Sequence, residues 1–147
     1  FTFKKTERIT SLKEIDALFE RGHNSTAHCY PVRAVYQTYA PHESKPTPPI
    51  KVLVSVAKKR LHHAVDRNRA KRQIREAYRL QHQSLTNTIL SLNPADDPSH
   101  IALRIAFIWQ SDTPQPSSLV SASINKILTS IEKKLNSSSA TSPTAIQ

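Results

Sequence analysis

Nine cationic side chains crowd one short stretch of this chain. Lys58, Lys59, Arg60, Arg67, Arg69, Lys71, Arg72, Arg75 and Arg79 lie between Ala57 and Arg79, against two carboxylates, Asp66 and Glu76. The stretch carries +7 of the formal +10 of all 147 residues, so the charge is local. The chemistry such a cluster offers is the binding of a polyanion. Arginine presents a planar fork of donors that matches phosphate oxygens, and lysine adds a compact point charge.

Projected as a helix, the cluster resolves into two adjoining stripes. With Arg67 at zero, Lys71 falls near about 40°, Arg75 near 80°, Arg79 near 120° and Arg72 near 140°. Ala70, Ile74, Ala77 and Tyr78 fall between about 280° and 20°, an apolar stripe that can pack on a sheet while its neighbour faces outward. A solvated helix face usually interleaves both signs to gain i,i+4 pairs; five like charges on one arc repel unless an anion neutralises them. Arg69, near about 200°, lies off the arc and is expected to face Glu76 near 180°. Asn68 lies within the arc but is neutral. It suits a base edge, a 2′-hydroxyl or a metal-bound water, and equally a bond to its own backbone.

Other chemistries find little support. Asp96 and Asp97 have no matching histidine or carboxylate nearby in sequence. His62 and His63 are adjacent, which is not the i,i+4 spacing of helical metal ligands. A single glycine, Gly22, excludes a glycine-rich phosphate loop, and a single cysteine, Cys29, excludes an intramolecular disulfide or a paired-cysteine zinc site. Catalysis by the protein alone is not expected, nor a metal held by the protein.

The rest of the chain must position the basic segment. Its length and 37% apolar content suit one modest core, and a pI near 10.1 favours nucleic acid or an acidic membrane as partner. No apolar run is long enough to span a bilayer, and the basic helix lacks the large aromatics of membrane-surface helices, so a cytoplasmic protein is expected. The sequence opens at Phe1 without a methionine, which points to further residues upstream.

Ser11 and Glu14 form a capping box for a helix over 12–21, with Leu12, Ile15, Leu18 and Phe19 at helical spacing and Gly22 as its stop. Tyr30, Val32, Ala34 and Tyr36 alternate as a half-buried strand, and Ile50, Val52, Val54 and Val56 as a second. Prolines make 40–49 a loop. A helical pattern follows from about 63 to 92, then a loop over 93–100. Ile101, Leu103, Ile105, Phe107 and Trp109 mark a further strand. Val120, Ile124, Ile127, Leu128, Ile131 and Leu135 form one stripe of a last helix. The expectation is an α+β fold: a two-layer sandwich of helices over a small mixed sheet, one domain over 1–136 with a disordered tail over 137–147.

From Ala64 to Arg79 the chain reads AVDRNRAKRQIREAYR. Arg67-Asn68-Arg69, then Lys71-Arg72, then Arg75, behind a strand ending in Ser55-Val56 and Lys58-Lys59, resembles bacterial ribonuclease P proteins. Phe3-Lys4-Lys5-x-Glu7-Arg8-Ile9, Leu18-Phe19-x-x-Gly22 and Ala106-Phe107-Ile108 extend the likeness over roughly residues 3–135. The resemblance implies a left-handed βαβ crossover that sets the basic helix beside the sheet. It implies partners, namely the catalytic ribonuclease P RNA and precursor tRNA. It also implies a division of labour. The RNA subunit, with Mg²⁺ bound mainly by that RNA, would cleave the precursor, while a cleft between helix and sheet grips its single-stranded 5′ leader. Phe19 and Tyr36 are the candidate stacking platform of that cleft, with Ile15 where the family often carries another aromatic.

Overall fold

The structure, a computed structural model, describes residues 9, 12–19, 24–39, 49–91 and 101–144, with the backbone alone at 12–14 and 137–144. Its elements run α1 (Leu12–Phe19), β1 (Ser25–Cys29), β2 (Val32–Tyr39), β3 (Ile50–Ser55), α2 (Ala64–Gln81), α3 (Gln83–Ser91), β4 (Ala102–Trp109) and α4 (Ser117–Thr144). The four strands make one mixed sheet in the order β1-β2-β4-β3. The pairs β1–β2 and β2–β4 are antiparallel, whereas β3 and β4 are parallel. Parallel neighbours cannot be joined by a tight turn. Here α2 and α3 make the crossover, which sets the basic segment beside the sheet.

Strand β4 reads ALRIAFIW, almost continuously apolar, because it is central and covered on both faces. Leu103, Ile105, Phe107 and Trp109 join Val32, Ala34, Tyr36, Ile50 and Val52 in the main core under α2, α3 and α4. On the opposite face Ala106 and Val35 form a smaller cluster with Ile9 and Leu18, with Ile15, Leu53 and Ile108 packed around it. The expected half-buried β2 is therefore buried on both faces at its middle. The main sandwich has two layers, and α1 covers the centre of the other face.

The stripe expected on α4 is observed: Val120, Ile124, Ile127, Leu128 and Ile131 are all buried. Three features differ from expectation. Strand β1 was not marked by its sequence, because Ser-Thr-Ala-His-Cys buries only Ala27 and owes its extended form to pairing with β2. Tyr30 lies in the turn between them, which contains a cis Tyr30–Pro31 bond, and it is exposed outside the strand. Helix α4 also continues to Thr144, through most of the tail expected to lack structure. Extending an existing helix needs no new nucleus, so weak helix formers can follow a well-packed segment. The helical pattern over 63–92 divides at His82, where His82 N–H still reaches the Tyr78 carbonyl at 2.9 Å and Thr86 N–H the His82 carbonyl at 2.9 Å. Ser11, Gly22, the loops over 40–48 and 93–100 and the motif over 3–8 lie outside the described residues.

Candidate nucleic-acid interface

The site begins where β3 ends. Arg60 N–H and Leu61 N–H both reach the Ala57 carbonyl, at 3.0 and 3.3 Å, closing a tight turn, and buried Leu61 anchors it. Lys58 and Lys59 ride exposed on that turn. Arg67 then folds the connection onto the helix: its Nη1 donates to the Leu61 carbonyl at 2.9 Å and the His62 carbonyl at 2.8 Å. Asp66 in the first turn complements the positive end of the α2 dipole.

The rotation of α2 is set by its buried stripe, which is the predicted set of Ala70, Ile74, Ala77 and Tyr78. Two glutamines lock it against the start of α4. Gln73 Nε2 donates to the Gln115 carbonyl at 2.9 Å and Ser117 Oγ at 3.0 Å, and Gln81 Nε2 to Ser121 Oγ at 3.1 Å. With that face fixed, Asn68, Arg69 and Arg72 are exposed, and Lys71, Arg75 and Arg79 are half-buried. Among the described residues, the side chains of Lys58, Lys59, Asn68, Arg69, Lys71 and Arg72 make no hydrogen bond or ion pair. These five cations and one amide are the open part of the surface.

Arg60 and Arg79 are engaged with carboxylates. Arg60 Nη1 meets Asp112 Oδ1 at 3.1 Å, and with Lys59 the pair lines an open recess of about 220 Å³. Arg79 holds Glu76, with Nε to Oε2 at 3.0 Å and a second bond from Nη2 to Oε1. This bonding holds the Glu76 carboxyl below the usual carboxylate range and raises the Arg79 guanidinium. The expected partner of Glu76 was Arg69. That residue lies seven positions away, about 10 Å along the axis, whereas Arg79 is one turn on and within side-chain reach.

The second part of the predicted site separates. Ile15 packs beneath α1, and Phe19 is 41% exposed on it, on the face of the sheet that carries Val35 and Ala106. Tyr36 points the other way. It lies in the main core at 5% exposure, with Lys134 Nζ 5.9 Å from its ring centre, and burial pushes its hydroxyl pKa up. Phe19 and Tyr36 therefore do not form one platform. Successive β2 residues alternate faces, so Arg33, Val35 and Gln37 share the face that α1 packs on, with Val35 and Gln37 touching the helix.

That face holds polar groups the sequence reading had not singled out. Gln37 Nε2 donates to the Ala17 carbonyl at 3.3 Å, Arg104 Nη1 donates to Gln37 Oε1 at 2.9 Å, and the Arg104 guanidinium lies 3.7 Å from the Tyr39 ring centre. Arg33 and His28 are opposite one another in the β1–β2 register and both are exposed. Strand parity was the available signal: counting by twos from Val35 reaches Arg33 and Gln37. Among the described residues no three His, Cys, Asp or Glu side chains gather as a metal site would need, and no helix is long and apolar enough to cross a membrane.

Comparison with known proteins gives one answer. The family profile described as Ribonuclease P matches residues 3–104. The chain is 39% identical over 112 residues to the ribonuclease P protein component of Porphyromonas gingivalis, covering 76% of this chain and 73% of that protein. The namesake protein of Chlorobium phaeobacteroides is 31% identical over 107 residues, 73% of this chain and 72% of its own length. That of Chlorobaculum tepidum is 47% identical over 55 residues, 37% of this chain and 36% of its own. The profile match takes in β1, β2, β3 and the basic helix α2, and the chain belongs to the ribonuclease P protein family.

Proposed function

We propose that this chain is the protein subunit of ribonuclease P, acting in the cytoplasm on precursor tRNA through binding and positioning. Its basic turn and helix seat on the catalytic RNA. The sheet face beside α1 receives the single-stranded 5′ leader of precursor tRNA, with Phe19 as a stacking surface, Arg33 as an exposed cation and His28 as an exposed imidazole. Hydrolysis of the phosphodiester belongs to the RNA subunit. Mg²⁺, on this reading, is bound mainly by that RNA.

One observation carries the reading. Among the described residues Arg69, Lys71 and Arg72 make no hydrogen bond or ion pair, on a helix whose rotation is fixed from behind by four buried side chains. Unneutralised cations held close together on a fixed helix repel one another in the free protein, and phosphate relieves that repulsion. The membership in the family supports the choice of RNA.

The test is reconstitution. Added to a bacterial ribonuclease P RNA at low Mg²⁺, the protein is expected to restore accurate cleavage at the 5′ end of mature tRNA. Cleavage no faster than with RNA alone would favour a structural RNA-binding role instead.

A further inference from the structure

Two ion pairs are formed among the described residues, and both fall on the basic surface. Asp112 reaches Arg60 from the segment after β4, 52 residues away in sequence, and Glu76 holds Arg79 in the last turn of α2. They flank the open cations of α2: Arg60 precedes the helix, Arg79 lies in its last turn, and Arg69, Lys71 and Arg72 lie between, while the open Lys58 and Lys59 stand ahead of Arg60 on the turn. The span from Arg67 to Arg79 is about 18 Å along the axis.

The fold has little use for these pairs. The side chains of Asp112 and Glu76 are 74% and 57% exposed. Exposed pairs of this kind contribute little to stability and are screened by salt. Towards an RNA their effect is larger and of opposite sign, because a carboxylate occupies the fork where a phosphate would bind and repels any phosphate brought near. An uninterrupted cationic stripe would accept many RNA backbones in many registers. A stripe interrupted by a carboxylate at Arg60 and at Arg79 favours an RNA whose phosphates fall on the cations left open.

We infer that Asp112 and Glu76 are specificity-determining residues, which disfavour RNAs that place a phosphate on Arg60 or Arg79 and leave Lys58, Lys59 and the cations between those two arginines to the cognate RNA. The inference rests on the reading of α2 as an RNA seat and adds what limits that seat.

The experiment uses the full chain carrying Asp112→Asn, Glu76→Gln or both, changes that keep side-chain shape and remove charge. Affinity is measured over a salt series for a ribonuclease P RNA and for polyuridylate. Each variant is expected to bind polyuridylate roughly fivefold more tightly, the removal of one like-charge contact, with its salt slope steeper by about one unit. Binding to the ribonuclease P RNA should change less than twofold, so discrimination falls. An equal gain for both RNAs would overturn the inference, since the carboxylates would then be general repulsion only. A loss for the ribonuclease P RNA would also overturn it, by making them positioning groups for Arg60 and Arg79. If the unmodified chain itself failed to prefer the ribonuclease P RNA, the reading of function would fall first.

Discussion

At the scale of single residues the account separates cations that look alike in sequence. Arg72 is exposed and unpartnered among the described residues, whereas Arg79 is held by Glu76 and Arg67 by two backbone carbonyls. Arg72→Ala should therefore weaken RNA binding by an amount that shrinks as salt rises, lowering the log–log salt slope by about one unit; an unchanged slope would remove Arg72 from the phosphate contacts. Phe19 and Tyr36 differ in the same way. Phe19→Ala should weaken binding of a precursor tRNA with a long leader more than one with a leader of a single nucleotide, because Phe19 is open on the α1 face. Tyr36→Phe should leave both affinities unchanged, because its ring lies in the core. A leader-specific loss in Tyr36→Phe would contradict the two-faced sheet. The outward arc of α2 was legible from helical angles, since period alone decides which side chains share a face. The pairing of Glu76 was not, because it depends on axial distance as well as angle.

At the scale of elements the decisive object is α2, whose cations are aimed by what lies behind them. Ile74 is fully buried in the main core, so Ile74→Ala should destabilise the protein by about 2–5 kcal/mol in denaturant unfolding. In the fraction that remains folded, the salt slope for RNA should be unchanged, since no phosphate contact is removed; a lower slope would make the core residue part of the interface. Helices α2 and α4 and strands β3 and β4 could be read from periodicity because each buries a continuous apolar stripe. Strand β1 could not, since an edge strand that buries one alanine owes its form to its neighbour rather than to its own pattern. The division of the long helix at His82 left no mark either. The residue keeps right-handed helical angles and hydrogen bonds on both sides.

At the scale of the whole molecule, the strand order β1-β2-β4-β3 sets the layout. Pairing β3 in parallel with β4 forces α2 and α3 into a crossover on one face, and α1 takes the other. Alternating hydrophobicity reports that a strand has a buried face, not which strand lies beside it, so this order was beyond a reading of residues alone. The consequence for function is a molecule with a cationic helix on one side and a partly open sheet face on the other. Two RNA elements can then be held without sharing side chains. The most direct measurement is lysine protection. An amine-reactive reagent is applied to the chain with and without ribonuclease P RNA, and modification is read residue by residue by mass spectrometry. The account predicts that Lys58, Lys59 and Lys71 become protected while exposed Lys126 and Lys133 on α4 react as before. Protection of the α4 lysines with Lys58, Lys59 and Lys71 left reactive would contradict it.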